Sequence, residues 1–314
     1  MILAGCWQRW CKFWFEPKSP LPLAIFRILF GLIAMQNAIV HTWPGFLSWY
    51  GLNGIVSIDS VVGHYWDGLP RLDLILLLPR SDEWIIAFFW TYVLAIFFLT
   101  IGFGTRYSAA FMALALISFR QHDTFNLHGG DTFERLAAVF LTFSPAGEAL
   151  SVDSMLKHRR IPSSEPMRYC PWAQRMLQVQ VALIYAHSFV SKLFVPQWLD
   201  GTAVYYATRI DNLVHLPMSW LFDNLAVCKL LTWFTLIVEF SMFTLVWLKK
   251  VRYIVLAAAL ILHLGVDAAL SVPVFEWLMI VSFINFVEPA DLSRWMTAAK
   301  RIISAKFRLR LSAD

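Results

Sequence analysis

The apolar residues of this chain occur in blocks of roughly 17–25, the length that a helix needs to cross the hydrocarbon core of a membrane. Of its 314 residues, 59% are hydrophobic and only 15% are charged. A soluble domain of this size carries about 25% charged residues. The sequence therefore predicts an all-α fold, a polytopic transmembrane helix bundle.

The block pattern divides the chain into eight predicted spans and two long aromatic connections. The connections, 43–82 and 196–228, are too apolar for free loops, so we expect interfacial helices packed on the bundle. Around the transmembrane domain (21–290) we expect an interfacial N-terminal segment (1–20) and a basic tail (291–314). The predicted spans are 21–42, 83–103, 107–122, 132–149, 173–195, 229–248, 253–270 and 274–290.

The distribution of lysine and arginine predicts the orientation of these spans. With a cytoplasmic N-terminus, seventeen basic residues fall in cytoplasmic segments and four in outside segments. Both termini are therefore expected in the cytoplasm of a cell whose plasma (inner) membrane holds the protein. The tail alternates basic and apolar residues, which favours anionic membrane lipids over nucleic acid as its partner. The four cysteines form no CxxC pair and the histidines lack ligand spacing, so no metal is expected.

Ionisable residues inside predicted spans are candidates for a functional site, because charge is costly there. The orientation places the polar segment 120–131, the end of the fifth span and the second long connection on the outer side. Lys192, His128, Asp131 and Trp198 are therefore predicted to share an outward-facing site. The ionisable residues within the spans are Arg27, Glu134, Arg135, His187, Lys192, Glu239, His263 and Asp267, of which Glu239 and His263 are predicted to line the floor of this site.

Each of these residues also has a structural interpretation. Lys192 ends an apolar run, where it either extends its amine to the membrane surface or provides a neutral amine as a general base. His187 is either part of the site or a histidine bonded to a neighbouring helix. Arg27 is expected to pair with a carboxylate. Asp131 either belongs to the pocket or only caps a helix.

An ordered series of motifs resembles the HTTM family, the membrane domain shared with vitamin K-dependent γ-glutamyl carboxylase. The resemblance covers residues from about 18 to 290. It rests on "SPLPLAIFRILFGL", "FNLHGGDTF", "FSPAGEALSVD", "QVALIYAHSFVSKLFVPQWLDGTAVYY", "TLIVEFSMFTL" and "LILHLGVDAAL".

This resemblance implies roles for several residues. The family's lysine base, which deprotonates a reduced vitamin K-like quinone or menaquinone, matches Lys192, with Trp198 and Gly201 following it. The spacing from Lys192 to Trp198 is one residue longer than expected for the carboxylase. The family's histidine that supports chemistry at the substrate matches His128. The implied function is modification of a secreted peptide or protein.

The sequence is also similar to small bacterial membrane proteins that help to mature a sporulation-delaying peptide toxin. They share the GG-D turn and the "WLDGTAVYY" type of segment. The sequence ends about 24 residues after the last predicted span, so recognition of a carboxylase propeptide is not expected. The alternative function is thus a non-catalytic factor for maturation or export of a secreted peptide toxin, acting with a small soluble partner.

Overall fold

The computed structural model describes residues 2–64, 71–123, 125, 129–160, 168–272 and 274–311. Within these residues the fold is all-helical, as predicted, with two isolated β-bridges that join Lys18 to Tyr169 and Val214 to Leu270. The helices are α1 (Ile2–Phe15), α2 (Leu21–Gln36), α3 (Phe46–Tyr50), α4 (Ile58–His64), α5 (Asp82–Ile101), α6 (Thr105–His122), α7 (Gly129–Thr142), α8 (Val152–Arg160), α9 (Trp172–Lys192), α10 (Pro196–Leu199), α11 (Ala203–Ala207), α12 (Ser219–Phe222), α13 (Leu225–Thr244), α14 (Arg252–Ala269), α15 (Phe275–Ser282) and α16 (Pro289–Leu311). A π-helix covers Asn37–Thr42, and 3-10 helices cover Trp43–Gly45, Ile75–Leu77, Leu245–Trp247 and Phe283–Phe286.

Every predicted span overlaps a helix. Among the described residues, however, four helical segments are both long and apolar enough to cross a membrane. Helix α7 has 14 residues, about 21 Å at a rise of 1.5 Å per residue, which is shorter than the hydrocarbon core. The number of eight spans therefore stays a prediction. The four segments are Leu21–Tyr50, Asp82–Ile101, Leu225–Trp247 and Arg252–Ala269.

Close packing of α2 on α5 builds one side of the core. Phe26 and Phe30 on α2 are fully buried, as are Phe89 and Ile96 on α5. Gly31 permits the approach, because a Cβ atom there would lie 2.1 Å from Oγ1 of Thr100. Any larger residue would force these two helices apart, since their core leaves no space for an added methyl group.

The predicted eighth span (274–290) is broken in the structure. Helix α15 ends at Ser282, a short 3-10 helix follows, and α16 begins at Pro289. The break leaves the main-chain carbonyl of Asn285 without a helical donor, and the amides of Gln174 and Gln178 on α9 donate to it at 2.7 and 2.6 Å. Proline suits the first turn of α16, because its missing N–H has no helical acceptor there.

Connections that are predicted for the same face of a membrane meet at the same end of the bundle. At one end, the turn after α5 meets the start of α8, where Asp153 N donates to Gly102 O at 2.9 Å. At the other end, Leu52 N donates to Asp82 Oδ1 at 2.8 Å and His215 N to Ala269 O at 2.9 Å. This second end contains the C-terminus of α9, and therefore Lys192. The long connections contain short helices, as expected.

Candidate functional site

One face of α9 carries three polar side chains in its last two turns. Tyr185, Ser188 and Lys192 are spaced by three and four residues, so they lie one above another on the same helical face. This face packs against α13. Lys192 is the last residue of α9, and its side chain is 18% exposed.

Lys192 is bound at the contact between α9 and α13. Its Nζ atom lies 2.7 Å from Oε1 of Glu239 and 2.6 Å from Oγ of Ser188. Ser188 donates to the same carboxylate oxygen at 2.9 Å. Nζ also lies 4.7 Å from the ring centroid of Trp198, within the range of a cation–π contact. The structure therefore gives Lys192 a carboxylate partner, which an amine at the membrane surface would not need.

The second carboxylate oxygen of Glu239 has no such partner. Oε2 is buried and forms no hydrogen bond to any described residue, and the residue as a whole is 6% exposed. A buried oxygen without a donor costs free energy, and Glu239 lines a cavity. The oxygen is thus available to a donor that enters this cavity.

A second hydrogen-bonded group joins three helices at the same cavity. The hydroxyl of Tyr185 contacts Nε2 of His263 on α14, and Nδ1 of His263 contacts Glu276 in the first turn of α15. All three residues are buried. Because Nδ1 faces a carboxylate, we assign its proton to that nitrogen, so that Nε2 accepts from Tyr185. A proton can therefore pass between the tyrosine hydroxyl and Glu276 through the imidazole of His263.

Both groups line one cavity of about 490 Å³ between α9, α13, α14 and α15. Its other walls are mainly apolar and come from the second long connection and from α13 and α14. A few convergent polar groups in an apolar cavity of this size are typical of a small-molecule site. The apolar walls include Ala203, Val204, Leu221, Phe222, Leu231, Phe234, Leu262 and Met279.

An open groove of about 760 Å³ adjoins this cavity. The cavity and the groove share Ser188, Lys192 and Trp198 among their lining residues. His187 is exposed and lines the groove rather than the cavity. Lys192 is therefore reachable from an apolar cavity on one side and from an open surface on the other.

Of the predicted site residues, the structure brings together Lys192, Trp198, Glu239 and His263. Gly201 does not line the cavity, but it shapes the turn that holds Trp198. Its φ of +86° is left-handed, and a Cβ there would lie 2.8 Å from Cγ of Lys229. Both observations explain glycine at this position.

Two predicted residues lie elsewhere. Asp131 lines a separate cavity. Arg27 was expected to pair with a carboxylate, but it is fully buried and donates to three carbonyls, those of Leu99, Thr100 and Leu150. Leu99 and Thr100 lie in the last turn of α5, where the carbonyls lack the donors of a continuing helix, and Leu150 lies just before α8. His128 falls outside the described residues, so its predicted role stays a prediction.

Sequence reasoning missed three members of the site: Tyr185, Ser188 and Glu276. Helical spacing from Lys192 would have identified Tyr185 and Ser188, because residues at i−4 and i−7 share its face. Glu276 lies inside the predicted eighth span, so the criterion that selected Glu239, an ionisable residue within a predicted span, would have selected it too. Over the residues that the structure describes, no three His, Cys, Asp or Glu side chains are grouped as metal ligands.

The fold and the site define an all-helical protein that has helices long and apolar enough to cross a membrane and a buried ionisable cavity at one end of the bundle. Residues 15–290 match the HTTM domain, and the chain belongs to this family. It is also similar to the uncharacterized protein YitO of Bacillus subtilis, with 27% identity over 136 residues. That match covers 41% of this chain and 43% of YitO, so the chain spans less than half of its relative. No solved structure matches the chain.

Proposed function

We propose that this protein is a membrane enzyme that modifies a secreted peptide or protein, with Lys192 as a general base and a quinol-type lipid as cofactor. One observation carries the proposal: Lys192, paired with Glu239, lies between an apolar cavity and an open groove. The cavity suits a lipid-soluble ligand, whereas the groove is open enough for a peptide segment.

The donor set of the cavity fits a quinol. The apolar walls accommodate a ring and an isoprenoid chain, and the unpartnered Oε2 of Glu239 accepts a hydrogen bond from a hydroxyl. Tyr185 and His263 provide polar contacts elsewhere in the cavity. A bound quinol would supply an acidic hydroxyl and two electrons.

Lys192 can act as a base because of its partner. For Nζ of Lys192 to act as a base, its proton must first pass to Oε1 of Glu239 along their 2.7 Å contact, which leaves a neutral amine and a neutral acid. The lone pair on Nζ then accepts a proton from the bound hydroxyl. Trp198 covers the amine at 4.7 Å and limits its contact with water. The resemblance assigns support of the substrate to His128.

The test compares secreted proteins by intact mass in strains with the wild-type protein, a deletion, Lys192→Met, or Lys192→Met combined with Glu239→Gln. The double variant is the decisive one, because it removes the base without leaving a buried carboxylate unpaired. The enzyme proposal is supported if a secreted peptide lacks the mass of one covalent modification both in the deletion strain and in the double variant, with the variant present in the membrane at the wild-type level. If the double variant restores the wild-type secretome, the protein is instead an accessory factor for peptide maturation or export.

A further inference from the structure

A second cavity, of about 330 Å³, lies between the π-helix (Asn37–Thr42), α3, α5, α6 and α7. It shares no lining residue with the Lys192 cavity or with the adjoining groove. Asn37 lies at its border, at the start of the π-helix that interrupts the first span. Such π-helical turns frequently occur at functional sites.

Glu134 is the buried carboxyl group of this cavity. It is 1% exposed, and within the described residues its two oxygens accept from neutral groups, Nδ2 of Asn37 at 3.2 Å and the hydroxyl of Tyr92 at 3.5 Å. In the part of the chain that the structure describes, no lysine, arginine or histidine forms an ion pair with it. A buried carboxylate that retains its charge needs a cation beside it.

The remaining charges of the cavity do not supply that cation. Asp123 and Asp131 add two more carboxylates to the lining, against Arg120 and His41 as the groups that can be cationic. The guanidinium of Arg120 is held at the end of α6, where Nη1 donates to the main-chain carbonyl of Asp123 at 3.0 Å. Among the described lining residues, three carboxyl groups therefore stand beside two groups that can be cationic.

Aromatic rings form much of the cavity wall, and they decide which kind of cation fits. The faces of such rings attract a cation and pack against its carbon substituents. A metal ion would instead need a cluster of oxygen or nitrogen ligands, and the described residues contain no such cluster. The rings belong to Phe46, Trp49, Tyr50, Phe89, Tyr92 and Phe119.

We propose that this cavity binds an organic ammonium group, with the positive charge beside Glu134 and the carbon substituents against the aromatic rings. The site is separate from the proposed quinol site, so either one can exist without the other. The volume of about 330 Å³ limits the occupant to a small amine or to the amine-bearing end of a larger molecule.

The test measures Tm of the full-length protein in detergent with n-butylammonium chloride, 1-butanol or NaCl at equal concentrations. We expect n-butylammonium at saturation to raise Tm by about 2 °C or more, and 1-butanol and NaCl to have no such effect. Glu134→Gln should abolish the rise, whereas Glu239→Gln, which removes a buried carboxylate from the other cavity, should retain it. An equal rise with 1-butanol, or with Glu134→Gln, would overturn the proposal.

If Glu134→Gln does not fold, a substitution in the aromatic wall of the cavity provides a second test. Trp49 is only partly buried, so Trp49→Leu removes an aromatic face from the cavity while leaving the core intact. We expect it to weaken n-butylammonium binding several-fold, seen as a smaller rise in Tm at the same concentration. If the rise in Tm depends on n-butylammonium concentration in Trp49→Leu as it does in the wild type, the proposal is contradicted, just as it would be by a rise in Tm of Glu134→Gln.

Discussion

The Nζ atom of Lys192 and the Oε1 atom of Glu239 lie 2.7 Å apart across the contact between α9 and α13. The two residues are 47 positions apart in the sequence, and their ion pair joins the two helices. It also fixes how Lys192 must be tested, because removing either partner leaves the other charge buried or half-buried without compensation.

The first prediction concerns the stability of this pair. Lys192→Met alone should destabilise the protein by about 3–5 kcal/mol, because the Glu239 carboxylate is left buried without its cation. Adding Glu239→Gln should recover most of that loss. Denaturant unfolding in detergent measures both values. A double variant as destabilised as Lys192→Met would show that the unpaired Glu239 carboxylate is not the source of the loss.

The second prediction concerns the hydroxyl of Tyr185. Tyr185→Phe keeps the ring and removes the donor to Nε2 of His263, so stability should fall by about 1 kcal/mol. If the group serves the reaction, the modification rate should fall by a larger factor than this loss explains. Ser241→Ala is a matched control, because that hydroxyl binds only a carbonyl on its own helix. A rate unchanged in Tyr185→Phe would make the group structural.

The third prediction separates Arg27 from the site. Arg27→Met removes three hydrogen bonds to main-chain carbonyls, and hydrogen bonds from a charged donor contribute about 1.5–3 kcal/mol each. The variant should therefore show a much lower Tm and yield, whereas its folded fraction should bind ligand in the Lys192 cavity with unchanged Kd. A changed Kd in the folded fraction would show that Arg27 contributes to the functional site after all.

The fourth prediction concerns the turn that holds Trp198. Gly201→Ala places a Cβ against Lys229 at a φ of +86°, so the turn must shift and Trp198 must move from Lys192. We expect weaker ligand binding together with a lower Tm, since a left-handed alanine costs roughly 1–2 kcal/mol. Gly63→Ala is the control, because a Cβ there meets no atom within 4 Å. Equal effects of both substitutions would exclude a specific role for the turn.

The fifth prediction is a pH dependence in the same turn. The side chain and main-chain N–H of Thr202 donate to Asp200 and hold the pKa of that exposed carboxyl below its usual value of 3.8. Because the folded-state pKa is the lower one, the stabilising contribution is present above about pH 3.8 and is lost as the pH falls through the folded pKa. Thr202→Val should raise the pKa of Asp200, which carboxyl NMR of aspartate-labelled protein can measure against Asp200→Asn.

Much of the fold was predictable from local sequence. The apolar blocks place a helix at each predicted span, since helix formation in a membrane depends on length and hydrophobicity. The bounds are less exact, because α7 ends at Thr142 and not at residue 149. The broken eighth span was not predictable in this way. Its freed carbonyl at Asn285 is bound by Gln174 and Gln178, which lie more than a hundred residues earlier.

The sequence by itself identified several residues that could carry chemistry, because a charged side chain inside an apolar span is costly and marks a candidate functional site. Lys192, Glu239 and His263 were identified on that ground. Only the tertiary structure decided how these residues are grouped. It pairs Lys192 with Glu239, joins His263 to Tyr185 and Glu276, and places Asp131 and Glu134 in a cavity of their own. The physical reason is that spacing along one helix defines a face, whereas the neighbour of that face is set by packing between helices that are distant in sequence.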